Sequence, residues 1–289
     1  MKRLPVLLVP LLLSLSSAAG RPETPRELSL QVSETAGLRR YGYPVTATAP
    51  FPPGALCDAG QAALCAGGTP LRGVQYDVLS RWPDHSVRWL RLSFNLSPGP
   101  REKQELKLRF GPGVAHPDPG PPVVRETPEL FDLRGQYRIP RAGPAFLTSV
   151  RYGEREFLKA PAAWTLWERG VDGQARALRP EPGASKSRVL SAGPVNAVVE
   201  LTGSYPASGG AVPYRLTLSQ PNSKSWFRAV FEAESPRGDL AGATLSVPYA
   251  LEKSPARYDC GVGSWVYGTL RAQDAVLLEA GRREREWRL

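Results

Sequence analysis

Proline and glycine interrupt this chain too often for long helices to form. The 289 residues include 30 prolines and 28 glycines, and both residue types destabilise the interior of a helix. Short strands joined by turns need such residues at the turns, and turn signals recur about every 10 residues along much of the chain. Hydrophobic residues make up 42% of the sequence, which is enough for a packed core. The sequence therefore predicts an all-β fold.

Residues 74–96 contain the clearest hairpin. Apolar and polar residues alternate before the turn, which is the pattern of a strand with one buried face. Pro83 presets the backbone angle φ of a turn, and Asp84 is of a type that bonds its own backbone two residues on. His85 occupies a position where such turns often need a positive φ, which histidine tolerates better than most residues. We therefore predict two strands joined by a tight turn.

The second strand of this hairpin changes phase along its length. Val87 and Trp89 share one face, whereas the apolar residues from Leu90 onward alternate on the other. One extra residue in a ladder produces such a change. We therefore expect a β-bulge near Trp89–Leu90, and we expect Trp89 to lie in the core.

Three stretches of the N-terminal half, which include this hairpin, resemble the first domain of the exo-rhamnogalacturonan lyase (YetA-like) family. They are residues 43–56, 71–75 and the run Arg81-Trp-Pro-Asp-His-Ser-Val-Arg-Trp89. The family pattern has glycine where this chain has His85. The similarity covers residues 35–112, and residues 192–203 and 225–234 are more loosely similar to the β-sandwich that follows in the family.

This resemblance implies a small RIFT-like β-barrel followed by an antiparallel β-sandwich. Members of the family continue into a large α/α toroid that carries catalysis, and no part of this sequence matches it. We therefore expect either a non-catalytic protein or the N-terminal fragment of a lyase.

The N-terminus resembles a secretory signal peptide. Lys2 and Arg3 precede a short apolar run at 4–15, and small residues then allow cleavage after Ala19 or Gly20. The alternative is an uncleaved anchor, but spanning a bilayer takes about 20 apolar residues. The sequence thus predicts a secreted or periplasmic protein with no membrane contact after cleavage.

A Pro- and Gly-rich segment at residues 112–123 cannot hold a strand ladder and is expected to be an extended linker. It divides the predicted organisation of the chain. The predicted parts are a signal peptide at 1–20, the barrel domain at 21–111, the linker at 112–123, the sandwich domain at 124–280 and a charged tail at 281–289.

The chain has three cysteines, which suit an oxidising compartment. Cys57 and Cys65 flank an apparent strand–turn–strand, so we predict a disulfide between them and leave Cys260 unpaired. No histidine or cysteine partner lies at metal-ligand spacing, so no metal or other cofactor is expected.

The sequence offers little for catalysis. A lyase that acts by β-elimination needs a base beside stabilising cations, but His116 lies in the predicted linker and His85 in a turn. No acidic loop suits Ca²⁺, and residues 261–265 lack the second glycine of a nucleophile elbow. We therefore assign no catalytic residue.

The tryptophans and the net positive charge are compatible with carbohydrate binding. Trp82 is the best candidate for exposure, Trp164 and Trp167 fall on opposite strand faces, and Trp226 and Trp265 are expected in the core, as is Trp89. The formal charge is +10, or +8 without Lys2 and Arg3, and a basic exported protein can attract acidic glycans. The speculative carbohydrate-binding set is Trp82, Asp84, His85 and Trp164.

The sequence therefore favours an exported, non-catalytic protein that recognises acidic, pectin-type polysaccharide or assists its processing. The alternatives are a polysaccharide lyase, or the N-terminal fragment of one, and a structural or adhesive envelope protein. Nucleic acid is not an expected partner, because the chain lacks the basic and aromatic motifs of RNA-binding modules.

Overall fold

The computed structural model of the protein describes residues 26–142, 145–181, 185–250, 256–259, 267–271, 274, 279–280 and 287–288. The predicted signal peptide, Cys260, Trp265 and most of the predicted tail lie outside the described residues. No helix of the described part is long and apolar enough to cross a membrane.

The described residues are almost entirely β, which confirms the predicted fold class. The N-terminal strands are β1 (Arg26–Ser33), β2 (Tyr43–Pro50), β3 (Ala62–Ala66), β4 (Thr69–Pro70), β5 (Gln75–Arg81), β6 (Val87–Leu96) and β7 (Lys103–Phe110), with one 3₁₀ turn at Ala59–Gln61. The next are β8 (Val124–Glu126), β9 (Leu130–Leu133), β10 (Tyr137–Pro140), β11 (Ala145–Leu147), β12 (Ser149–Tyr152), β13 (Arg155–Glu156), β14 (Ala162–Arg169) and β15 (Ala175–Leu178). The last are β16 (Lys186–Ala192), β17 (Asn196–Tyr205), β18 (Val212–Pro221), β19 (Arg228–Ala233), β20 (Leu240–Ser246), β21 (Ala256–Asp259), β22 (Tyr267–Leu270), β23 (Glu279–Ala280) and β24 (Trp287–Arg288).

Strands β1–β7 form two open antiparallel sheets, here called the N-terminal sheets. Their orders are β1-β7-β3-β4 and β2-β6-β5, and they enclose one core that includes Phe51, Leu64, Leu90, Phe94 and Leu108. The predicted β-barrel is not closed in the described residues, because no ladder joins the two sheets. β4 is only two residues long and ends on Pro70, which has no amide hydrogen to extend a ladder.

Three sheets of the second half, here called the C-terminal sheets, pack around a second core. Their orders are β13-β12-β10-β9-β8, β16-β17-β18-β19, and β11-β14-β15 with β20 on the other side of β14. The longest ladder joins β17 to β18 from Asn196–Pro221 to Tyr205–Val212. Apolar residues from all three sheets meet, among them Phe131, Ile139, Phe146, Val199 and Leu218. The arrangement is sandwich-like.

The C-terminal sheets dock on the outward face of the β2–β6–β5 sheet through the side-chain amide of Gln75, which is only 3% exposed. Its nitrogen donates to Asp77 at 2.9 Å and to the Ser191 hydroxyl. Its oxygen accepts hydrogen bonds from the amides of Val195 at 3.2 Å and Asn196 at 3.0 Å. Every polar atom of this buried amide is therefore paired across the junction or beside it.

Further polar pairs extend this junction along β5 and β6. Arg91 forms an ion pair with Asp77 at 2.9 Å. The amide nitrogen of Asn95 donates to Asn222 at 2.8 Å, and the Ser223 hydroxyl donates to Asn95 at 3.0 Å. The part of the outward face that meets the C-terminal sheets is therefore polar and faces polar partners.

The segment 112–123 contains no strand, but its position is fixed. The His116 ring stacks on Tyr76 with ring centroids 4.5 Å apart, and the amide of Val123 donates to the carbonyl of Gly193 at 3.1 Å. Burial raises the pKa of the Tyr76 hydroxyl to about 12, although that hydroxyl accepts a bond from the Leu64 amide at 2.8 Å. His116 therefore has a defined position, although it lies in the segment predicted to be a linker.

The predicted disulfide between Cys57 and Cys65 is also wrong, because both are free thiols. A 3₁₀ turn, rather than a hairpin, separates them, and Cys65 lies in β3 opposite Pro70 and Lys107. Cys57 is exposed, and its carbonyl accepts a bond from the Arg81 side chain at 3.2 Å. The spacing suggested a two-stranded ribbon, but β3 instead pairs with β4 and the distant β7.

The two thiols are expected to differ in reactivity. In a Cys260→Ser background, a thiol reagent should label the exposed Cys57 rapidly in the native state and label Cys65 only after unfolding. Burial raises the pKa of the Cys65 thiol, which reduces its reactive thiolate. Mass mapping of the labelled peptides measures this, and two residues that resist labelling until a reductant is added would contradict it.

Gly193 is expected to be intolerant of a side chain, because an added Cβ would lie 2.0 Å from the Gln75 amide carbon. Gly193→Ala should lower the free energy of unfolding by about 1–3 kcal/mol through overpacking. Gly242→Ala in β20 is the matched control, since a Cβ there meets no atom within 4 Å. Urea unfolding of both variants measures the difference in stability. Equal stabilities would contradict the prediction, because they would mean that the junction accommodates the added methyl group without cost.

Candidate functional site

The β5–β6 turn has the predicted conformation. The His85 amide donates to the Trp82 carbonyl at 2.9 Å, and the Trp82 amide donates to the Ser86 carbonyl at 2.8 Å. His85 has a φ of 65°. A tight turn followed by a residue in the left-handed region is a common hairpin connection, and Pro83 before Asp84 suits it.

Asp84 holds this turn together. Its carboxylate accepts hydrogen bonds from the Ser86 hydroxyl at 2.6 Å and the Ser86 amide at 3.0 Å. These bonds, the hydroxyl first, lower the pKa of the Asp84 carboxyl. Arg81 also stabilises the turn, since its guanidinium donates a hydrogen bond to the His85 carbonyl at 2.7 Å. The polar groups of the turn thus serve the turn itself, and the His85 ring is exposed.

The predicted bulge is present. The ladder pairs Val78 with Leu90, Ser80 with Trp89, and Arg81 with Val87. Leu79 on one strand and Arg88 on the other have no partner in this register. An extra residue turns two successive side chains to one side, so Arg88 and Trp89 both face outward between buried neighbours.

Trp89 is therefore not a core residue. It is 38% exposed and lies opposite Pro50 at the end of β2. The expectation of burial is wrong because it followed the apolar pattern of the strand, in which Trp89 shares a face with Val87, whereas the bulge leaves Val87 buried and turns Trp89 outward. The change of phase itself indicates exposure, because Trp89 and Leu90 lie on opposite faces and the apolar run from Leu90 onward marks the core face.

Trp82 is half-buried and held on two sides. Its indole N–H donates to the Phe51 carbonyl at 2.8 Å, and the Arg88 guanidinium lies 4.6 Å from its ring centroid. The hairpin thus presents Leu79, Trp82, Arg88 and Trp89, together with Pro50 from β2. We call these five residues the hairpin platform.

Charge on the platform is unbalanced. The nearby carboxylates are occupied, Asp77 by Arg91 and Gln75, and Asp84 by Ser86. Arg88 is exposed, and it is absent from the ion pairs formed among the described residues, since its guanidinium packs on a ring instead. The platform therefore offers apolar rings beside a cation that no carboxylate of the described residues neutralises.

Trp164 does not join this surface. It lies in β14, and its ring stacks on Phe231 with centroids 4.7 Å apart, so it belongs to the core of the C-terminal sheets. Trp167 is also partly buried, and its indole N–H donates to the Thr244 hydroxyl at 2.9 Å. The structure thus groups Trp82, Asp84 and His85 in one hairpin and separates Trp164 from them.

Trp226 is 47% exposed, and the prediction that it lies in the core is wrong. The strand expected from Ser225 begins only at Arg228, so Trp226 lies in the preceding loop. Its neighbour Phe227 takes the inner position and contacts the Tyr137 ring edge-on at 4.8 Å.

No group of three or more histidine, cysteine or acidic side chains among the described residues is placed to hold a metal ion. The chain matches no protein-family model and no curated protein.

His85→Gly is expected to stabilise the protein by about 1 kcal/mol relative to His85→Ala, because a side chain with a positive φ is strained and glycine is not. Both variants remove the imidazole, so the difference in stability between them measures the backbone strain at position 85. Thermal unfolding measures it. Equal melting temperatures would mean that the turn relaxes out of the left-handed region.

Proposed function

We propose that this protein is an exported, non-catalytic β protein that recognises acidic, pectin-type polysaccharide through the hairpin platform. The observation that best supports this proposal is the exposed Trp89 ring next to Arg88. The Arg88 guanidinium has no carboxylate partner among the described residues.

Sugar rings and carboxylates need two kinds of surface, and the platform has both. An exposed indole offers an apolar face that the C–H groups of a sugar ring can cover, and it loses little conformational freedom on binding. A guanidinium binds a carboxylate through paired N–H donors. A uronate residue that stacked on Trp89 would carry its carboxylate toward Arg88.

Two sequence features support this ligand class. The run from Arg81 to Trp89, which carries most of the resemblance to the rhamnogalacturonan lyases, supplies three of the five platform residues. The formal charge of +8 without Lys2 and Arg3 also favours encounter with a polyanion. Export follows from the signal-like N-terminus and from the extracellular location of such glycans.

Binding of polygalacturonate is expected to depend on the platform. Trp89→Ala and Arg88→Ala should each weaken binding about tenfold, the equivalent of about 1.4 kcal/mol. Tyr152→Ala is the matched control, because Tyr152 is an exposed aromatic residue of the C-terminal sheets. Calorimetric titration with polygalacturonate measures all three.

The salt dependence of binding should distinguish the ionic contact with Arg88 from stacking on Trp89. The contact with Arg88 should weaken as salt screens exposed charges, whereas stacking on Trp89 should persist. Absence of binding at low salt would overturn the proposal in favour of a structural role. Sustained growth of ultraviolet absorbance from unsaturated uronate products would overturn the non-catalytic part and favour a lyase.

A further inference from the structure

The Arg88 guanidinium lies where a sugar ring could otherwise stack. It is 4.6 Å from the centroid of the Trp82 ring and covers one face of that ring. Trp82 is half-buried, whereas the Trp89 indole is 38% exposed. In the free protein, Trp89 is therefore the more accessible of the two indoles on the hairpin platform.

Phe51 fixes the orientation of the covered ring. Its carbonyl accepts a hydrogen bond from the Trp82 indole N–H at 2.8 Å, and Phe51 itself is only 3% exposed in the core of the N-terminal sheets. The Trp82 ring thus keeps its place whether or not Arg88 covers it. Phe51 follows Pro50, which lies opposite Trp89 in the ladder, so the Trp82 indole reaches the end of β2 close to Trp89.

The backbone of Arg88 is held, but no ion pair among the described residues holds its side chain. Its carbonyl accepts a hydrogen bond from the Phe51 amide at 2.9 Å, whereas its side chain is exposed and rests on the Trp82 ring. Contacts between an exposed cation and a ring are weak. A carboxylate that accepts two guanidinium N–H donors binds more strongly, so a carboxylate can draw the guanidinium off the ring and a neutral hydroxyl cannot.

We propose that Arg88 is a specificity-determining residue that covers Trp82 in the free protein and leaves it when a uronate carboxylate binds. Trp82 then becomes a second stacking surface beside Trp89. An acidic oligosaccharide is held by two rings and one cation, whereas a neutral oligosaccharide meets Trp89 alone. The preferred ligand is thus a stretch of at least two sugars with a free carboxylate. This inference rests on the proposed function.

The test compares short galacturonate oligomers with their methyl esters, which have the same sugar rings without the charge. Arg88→Ala removes the cover and the carboxylate contact together, so the two ligands should respond in opposite directions. In calorimetric titrations, the acid should bind Arg88→Ala about tenfold more weakly than it binds the wild type, and the ester about threefold more tightly. Loss of a positive charge alone would not strengthen the binding of a neutral ligand.

Arg155→Ala is the matched control. The Arg155 guanidinium lies 5.0 Å from the centroid of the Phe157 ring in the C-terminal sheets, so this variant removes the same charge and uncovers a ring away from the platform. It should leave the affinity for the ester unchanged. Adding Trp82→Ala to Arg88→Ala should remove the gain for the ester, and thermal unfolding checks that this double variant is folded.

A spectroscopic measurement tests the movement of Arg88 without removing any side chain of the platform. The protein is labelled with 5-fluorotryptophan, and the fluorine resonance of Trp82 is assigned by its absence in Trp82→Phe. Saturating acid oligomer should shift this resonance in the wild type, because the environment of the ring face changes. Saturating ester should leave it in place, since the guanidinium stays on the ring.

The outcomes separate this inference from the proposed function. An ester affinity that Arg88→Ala leaves unchanged or weakens, or a Trp82 resonance that saturating acid does not shift, would overturn the displacement of Arg88. Recognition at the platform would still stand in that case if Trp89→Ala weakened binding of the acid. Failure of the acid oligomers and of polygalacturonate to bind the wild type would overturn both.

Discussion

The buried amide of Gln75 determines where the two halves of the molecule meet. A buried polar group without a partner costs about 1–3 kcal/mol, and a glutamine amide has both donors and an acceptor to satisfy. Gln75 satisfies them with Asp77, Ser191 and two backbone amides of the β16–β17 turn. Any shift of the C-terminal sheets would break several of these bonds at once. These bonds therefore hold the C-terminal sheets over β5 and β6.

Local sequence patterns were enough for the hairpin. The alternation before Pro83, the turn residues and the change of phase after Val87 predicted two strands, a positive φ at His85 and a bulge, and the structure contains all three. Each of these features depends on residues within a few positions of one another. Interactions between residues that are close in the chain are the part of folding that sequence patterns predict best.

Long-range pairing explains what the sequence did not reveal. Cys65 is kept from Cys57 because β3 pairs with β7, more than forty residues away in sequence. No ladder joins the two N-terminal sheets, and such a ladder also depends on strands distant in sequence. In the candidate site, Trp82 was found because it ends a strand, whereas Trp89 was taken for a core residue.

Two arginines of the N-terminal half lie over aromatic rings, Arg40 over Tyr43 and Arg88 over Trp82, but they differ in available charge. Arg40 already forms an ion pair with Glu34, whose pKa of about 2 keeps it ionised. Arg88 forms no ion pair among the described residues, so its guanidinium can turn to an incoming carboxylate. Under the proposed function, the hairpin platform should therefore recognise the charge of a uronate as well as the apolar face of its sugar ring.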